Sequence, residues 1–255
     1  MTDTAFIIGN GESRKIFIID LLENKGTIYG CNAIYRDHAM LCDYIVAVNK
    51  EMHAEIQENI HKYKHKQSLE ILGIDDVSDW NYILDDDEPG DIPKGLKLYR
   101  QWQGGDAKRG VYKTRDFSLN KGSGCSAVLH AAEQGHKNIC ILGFDILGAR
   151  QFEMDQTEVS FSRQQNNVYK HTRNYPPRAS MKAYMKYEWL YHLTQTFRRF
   201  PDTNFYFFNR REYIEMNPFL RHYFAYAPGN IKAGIYADLR RWIDGEQDKI
   251  NWITF

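Results

Sequence analysis

The chain has 255 residues, enough for one large α/β domain with an insertion and for a core that needs no disulfide or metal staple. Lys plus Arg is 33 and Asp plus Glu is 33, so the formal net charge is zero. That balance excludes a generally basic nucleic-acid coat and an acidic solvating chain, and no apolar run approaches the roughly 18 residues of a membrane span.

In chain order, the apolar run 5–8 reads as a strand that meets Gly9-Asn10-Gly11-Glu12-Ser13. Ser13 is placed to cap a short helix carrying Ile16, Ile19 and Leu22. Strands at 27–29 and 44–48 end at Gly30-Cys31-Asn32 and at Asn49, and 51–63 reads as a helix. Residues 69–74 and 96–99 suit strands on either side of the acidic loop Asp85-Asp86-Asp87-Glu88-Pro89-Gly90-Asp91. Gly122-Ser123-Gly124 precedes a helix at 125–133 that Gly135 closes. A buried strand at 138–142 runs into Gly143-Phe144-Asp145, a polar stretch at 148–178 reads as a lid or insertion, a helix covers 179–200, and a strand at 204–208 leads into an aromatic tail. Apolar strands alternating with helices predict a mostly parallel sheet in one Rossmann-like domain spanning 1–255. Ligands of such sheets collect at the carboxyl ends of the strands.

The four cysteines, Cys31, Cys42, Cys125 and Cys140, lie in or beside apolar runs without paired spacing. Met1-Thr2-Asp3-Thr4 enters a strand with no basic leader or apolar signal region. Together these features predict reduced core thiols and a cytoplasmic protein.

Several constellations suit chemistry. Gly9, Asn10, Gly11 and Ser13 form a strand-to-helix turn whose glycines let a backbone approach phosphate. It matches neither a dinucleotide fingerprint nor a P-loop. Ser123 and Gly124 repeat the device before a second helix. Asn32 and Asn49 follow strands, where a carboxamide reads a base edge or a ribose hydroxyl, or simply favours a turn. Asp145, at a central strand end, suits a ribose hydroxyl, acid–base work or a helix cap. His171, in Tyr169-Lys170-His171-Thr172-Arg173, suits a general base or a phosphate contact, or is a surface residue. For metal, Asp85–Asp87 contains D-x-D but reads as a solvated loop, and His61 and His65 lack a third ligand nearby in sequence. Between residues 160 and 222, eleven Lys or Arg stand against four Asp or Glu, a net +7 interleaved with tyrosines. That window suits a polyanion such as DNA or a phosphorylated glycan, or a solvated helix face. A membrane-binding amphipathic segment is only weakly suggested, at 231–241.

Taken in order, Gly9-Asn10-Gly11-x-Ser13, Cys31-Asn32, Asn49, Ser123-Gly124, Gly143-Phe144-Asp145 and Tyr169-x-His171 resemble the bacterial sialyltransferases of glycosyltransferase family 42, over roughly residues 5–210. The resemblance implies a single Rossmann-like domain of the GT-A variant with a lid, a nucleotide-sugar donor and no metal or other cofactor. It also implies that Asn10, Asn32, Asn49, Ser123 and Asp145 hold the nucleotide, that Tyr169 contacts the leaving phosphate, and that His171 deprotonates the acceptor. Asn120, with Lys121 beside it, stands where the family has an arginine; Phe152 stands near its lid tyrosine, and the Tyr-to-His spacing is one residue shorter.

The expectation is therefore an inverting glycosyltransferase, with Lys121 near the leaving phosphate alongside Tyr169. Its acceptor would be a glycan or, given the basic aromatic window, a hydroxymethylated pyrimidine in phage DNA; the chain would then work in the host cytoplasm. The alternatives are a pterin-type diphosphokinase using ATP and Mg²⁺, which would need Asp85–Asp87, and a non-catalytic nucleotide or nucleic-acid binding module.

Overall fold

A computed structural model describes residues 3–47, 50–59, 70–71, 122–146, 166–175, 185–215 and 218–255. Strands β1 (Thr4–Ile8), β2 (Thr27–Cys31), β3 (Tyr44–Val46), β4 (Glu70–Ile71), β5 (Asn138–Leu142), β6 (Asn204–Asn209) and β7 (Ile231–Ile235) form one seven-stranded sheet in the order β4-β3-β2-β1-β5-β6-β7. Every pairing between these strands is parallel. The chain runs outward from β1 to one edge, returns to lay β5 beside β1, and runs outward again. The order therefore reverses between β1 and β5, and a Rossmann-like sheet collects ligands at that reversal.

Side chains alternate across the sheet with period 2, so each strand feeds two cores. Phe6 pairs with Cys140, and Cys140 with Tyr206. This row packs with Phe17, Leu22, Ile56 and Leu239 on one face. Ala5, Ile7, Ile139, Ile141, Phe205 and Phe207 point to the other, where they meet Val128, Leu193, Phe197 and Tyr213. The first face is covered by short helix α1 (Tyr35–His38), α2 (Lys50–Glu58) and α7 (Tyr236–Ile243), the second by α3 (Ser123–Glu133), α4 (Met185–Arg199), α5 (Arg211–Glu215) and α6 (Pro218–Ala225). Each fully buried phenylalanine in these layers contributes about 2 kcal/mol of transfer free energy.

Three expectations change. The helix expected after Ser13 is instead two 3₁₀ turns, Glu12–Ile16 and Ile19–Leu22, and the first is capped by Gly11 rather than Ser13. The Ser13 N–H is drawn to Asp145 (3.0 Å), and the β-branched Ile16, Ile18 and Ile19 disfavour a continuous α-helix. Ile16, expected on the apolar face, is 58% exposed. Residues 231–241 supply β7 and the start of α7, whose Leu239 is in the core, so this segment is not a membrane-surface helix.

Gly135 follows α3 at φ +81°, as a helix-terminating glycine does, and all four cysteines are buried thiols. No helix among the described residues is long and apolar enough to cross a membrane.

Candidate functional site

The loops leaving β1 and β5 are locked together. The Gly9 N–H donates to the Leu142 carbonyl (2.8 Å), and the Gly11 N–H to the Gly143 carbonyl (2.7 Å). A Cβ on Gly9 would stand 2.4 Å from the Gly143 oxygen, and one on Gly11 would stand 2.5 Å from the Asp145 carboxyl carbon. Glycine is needed here for chain-on-chain approach, and both amides are engaged within the protein. Asp145 is buried, and its carboxylate accepts from the Ser13 N–H (3.0 Å), Asn166 Nδ2 (2.5 Å) and Asn209 Nδ2 (3.3 Å). Burial pushes its pKa up, against the lowering effect of those hydrogen bonds. Ser13 is fully buried with its hydroxyl on Tyr236 Oη (3.1 Å), and the same phenol accepts from the Gly143 N–H (3.2 Å). Of the functions open to Asp145, the structure gives it that of a clamp joining three loops.

The neighbouring exits of β1 and β2 are different. Asn10, after β1, donates from Nδ2 to the Cys31 carbonyl (2.8 Å) and to Tyr175 Oη (3.4 Å). Asn32, after β2, sits at φ +50°, a conformation asparagine tolerates. Its Oδ1 accepts from the Ser123 hydroxyl (2.6 Å) at the first residue of α3. Gly124 lies against the Phe144 ring, 2.6 Å from where its Cβ would be. Asn10, Asn32 and Ser123, separated in sequence, thus meet where two strand ends face a helix N-terminus, an arrangement suited to a nucleotide.

Residues 166–175 form a roof over these exits. The Val168 N–H donates to the Asn10 carbonyl (2.8 Å), the Glu12 N–H donates to the Asn166 carbonyl (3.2 Å), and Gly11 pairs with Asn167 in an antiparallel bridge. The roof is fastened to α1 and α2. Arg36 donates to Glu55 from Nε (2.8 Å) and Nη2 (2.5 Å), and to Thr172 Oγ1 (2.5 Å) and the Arg173 carbonyl (2.8 Å). Buried Glu55 also accepts from Asn174 Nδ2 (2.7 Å) and from the Tyr35 hydroxyl. Burial, and then that bond to Glu55, pushes Tyr35 up to about 12, while burial lifts Tyr175 to about 12. At the rim, Arg173 pairs with Glu58 and Lys170 with Glu12.

Beneath the roof lies Arg14, only 3% exposed. Its Nη2 donates to the Tyr169 hydroxyl (2.8 Å) and lies 3.7 Å from Asp37. The guanidinium carbons of Arg14 and Arg36 stand 5.5 and 5.3 Å from the Tyr169 ring centre. Tyr169 is buried and its pKa is raised, first by burial, with Arg14 acting in the opposite sense and a hydrogen bond to Asp37 raising it further. The phenol accepts from Arg14, which engages it within the protein. Within this cluster two buried side-chain atoms have no hydrogen-bond partner: Arg14 Nη1 and Asn10 Oδ1. His171 sits on the roof at φ +67°, with its side chain exposed and its N–H on the Tyr175 carbonyl (2.8 Å).

The structure thus brings together Gly9, Asn10, Gly11, Ser13, Asn32, Ser123, Gly124, Asp145, Tyr169 and His171 around neighbouring strand ends, with Ser13 and Asp145 turned into the interior. Asn49 and Lys121 lie outside the described residues, as do Asp85–Asp87, His61, His65, Asn120, Phe152, the 96–99 strand and the parts of the 148–178 insertion other than 166–175. Within the basic window, Tyr169 and Tyr175 are buried, and Lys170, Arg173, Arg199 and Arg211 each pair with an acidic side chain. Among the described residues no three His, Cys, Asp or Glu gather as metal ligands would.

Sequence reasoning missed Arg14, Arg36, Glu55 and Tyr175. For Arg14 the sequence signal is slight: it follows Gly-Asn-Gly-x-Ser directly, but two further charges, Glu12 and Lys15, stand in the same short turn. Comparison of the chain with protein-family models, with curated proteins and with solved structures found no match.

Proposed function

We propose that the chain is an inverting glycosyltransferase, of the GT-A kind that its resemblance to family 42 implies, whose nucleotide-sugar donor lies over the exits of β1 and β2. The observation that carries this reading is the meeting of Asn10, Asn32 and Ser123 at a strand-end and helix-start junction, with Tyr169 and His171 on a segment that roofs it. Carboxamides and a hydroxyl at that junction suit base and ribose recognition, and the start of α3 suits phosphate. An exposed imidazole on the roof suits proton transfer at an acceptor that arrives from solvent.

In the reaction His171 takes the acceptor hydroxyl proton as that oxygen attacks the anomeric carbon. The carbon–oxygen bond to the donor's phosphate breaks, its electron pair leaves with the nucleotide, and the configuration inverts. Tyr169, whose hydroxyl accepts from Arg14, acts as a positioning residue for that guanidinium. For the acceptor we propose a hydroxymethylated pyrimidine in DNA. Lys170 and Arg173 lie exposed on the roof, and their surface ion pairs are weak enough to exchange for DNA phosphates.

His171→Ala is expected to lower transfer by about 10²-fold or more while donor binding persists. Full turnover by that variant contradicts the assignment of the base. Labelled-sugar transfer to hydroxymethylcytosine DNA, compared with plain DNA and oligosaccharides, tests the acceptor; equal labelling of all three contradicts it.

A further inference from the structure

Asn10 and Arg14 pose a matching problem beneath the roof. The Asn10 amide orientation is set by its neighbour: the Cys31 carbonyl can only accept, so Nδ2 must face it and Oδ1 must face away. That Oδ1 is buried and has no donor. Arg14 is buried with one arm held by Tyr169 and Asp37, while Nη1, which carries two N–H donors, has no acceptor. The two residues belong to one cluster. Asn10 donates to the Tyr175 hydroxyl, the Tyr175 ring lies tilted with its centre 6.0 Å from that of Tyr169, and Tyr169 accepts from Arg14.

A buried guanidinium whose nearest carboxylate is 3.7 Å away and itself half exposed is incompletely neutralised. Such a group is unfavourable in a folded chain unless something else supplies the missing negative charge. The acceptor it needs is an anionic oxygen, and the same species must offer a hydroxyl or N–H to Asn10 Oδ1.

We infer that Arg14 is an anion-binding residue: its Nη1 donates to a phosphate oxygen of a nucleotide seated between the β1 and β2 exits, and Asn10 Oδ1 accepts from a neighbouring hydroxyl or N–H of the same ligand. This rests on the reading of that junction as a nucleotide site but does not depend on sugar transfer. It moves phosphate recognition away from the Gly9 and Gly11 amides, which are engaged with β5, to a side chain in the following turn. Because Arg14 is buried under 166–175, the ligand enters when that roof lifts, and its phosphate then ties the roof down through Tyr169. In the transfer reaction the same guanidinium meets the charge that develops on the leaving phosphate.

The test uses the full chain and inorganic pyrophosphate. Pyrophosphate is expected to raise the melting temperature in a dose-dependent way and to bind measurably by calorimetry. Arg14→Gln is expected to weaken that binding at least about tenfold, whereas Lys232→Gln, on β7 at the far side of the sheet, leaves it unchanged. No binding by the unaltered chain, or equal binding by Arg14→Gln, overturns the inference. If Arg14→Gln does not fold, hydrogen exchange on the unaltered chain decides: pyrophosphate must slow exchange across 166–175, and unchanged exchange there overturns the inference. Full turnover by His171→Ala would remove that residue as the base and leave this result standing. Arg14-independent pyrophosphate binding would do the reverse.

Discussion

The two sides of β1 end in opposite conditions. Toward β5, the exit loops are closed on themselves: glycines touch a facing backbone, and the Asp145 carboxylate has three donors. Toward β2, the exits hold a buried arginine and asparagine, each with an unmatched atom, under a roof fastened by side chains. The strand-order reversal marks the general region, and the unmatched Asn10 and Arg14 atoms set its β2 side apart as a candidate for a ligand. A fully matched carboxylate stabilises the fold, whereas an unmatched guanidinium is a deficit that a ligand can fill.

Each side can be broken separately. Asp145→Ala leaves the buried donors on Ser13 and Asn209 and the half-buried one on Asn166 without an acceptor, and is expected to cost about 3 kcal/mol in denaturant unfolding. Gly9→Ala drives a methyl into the Gly143 carbonyl and should cost about 3 kcal/mol by the same measurement. If either is neutral, the β5 side is not the rigid one. On the β2 side, Glu55→Gln removes the charge that holds Arg36 and Asn174, and should lower the opening free energy of 166–175 by about 2 kcal/mol in hydrogen exchange. Exchange in β1 and β5 should hardly change, and a uniform loss of protection would erase the contrast.

The roof's phenols give a pH signature. Tyr175 is lifted from 10.0 to about 12, so the folded chain keeps a proton that the unfolded chain releases. Its contribution is whole below pH 10 and is lost as pH rises toward 12, at about 1 kcal/mol per pH unit from Tyr175 alone. Phenolate absorbance should appear later in the folded chain than in the unfolded one, and coincident titrations would contradict the burial of these rings. The smallest effect is expected from Arg173→Gln. Its ion pair with Glu58 is exposed, so the unfolding midpoint should stay within error and become still less sensitive at high salt.

Much of the fold is legible in the sequence. The 5–8 and 138–142 runs are short, apolar and bounded by glycine and asparagine, as strands buried on both faces must be. Strand-to-helix alternation indicates the parallel sheet, but nothing local says that β5 returns to β1, because that depends on packing across more than a hundred residues. Past residue 210 the aromatics obscure any period, and β7, with Lys232 and Gly234 in a five-residue strand, carries little signal. Within the site, Asn10, Asn32 and Ser123 stand out because amide and hydroxyl residues follow strands or precede a helix. Arg14 does not, since its environment comes from Tyr169 and Asp37 and its unmatched arm exists only once they are placed. Asp145 was visible as a carboxylate at a strand end, but its burial by three loops was not.

Occupation of the β1 and β2 exits by a nucleotide, as proposed above, can be measured. The most direct measurement is a thermal-shift series with CMP-, UDP- and GDP-sugars on the unaltered chain and on Asn32→Asp, which keeps the side-chain shape and the bond from Ser123 but adds a charge that repels phosphate. At least one nucleotide sugar is expected to raise the melting temperature of the unaltered chain, and this shift is expected to be lost in Asn32→Asp. A shift of equal size in both proteins, or none with any nucleotide sugar, contradicts it.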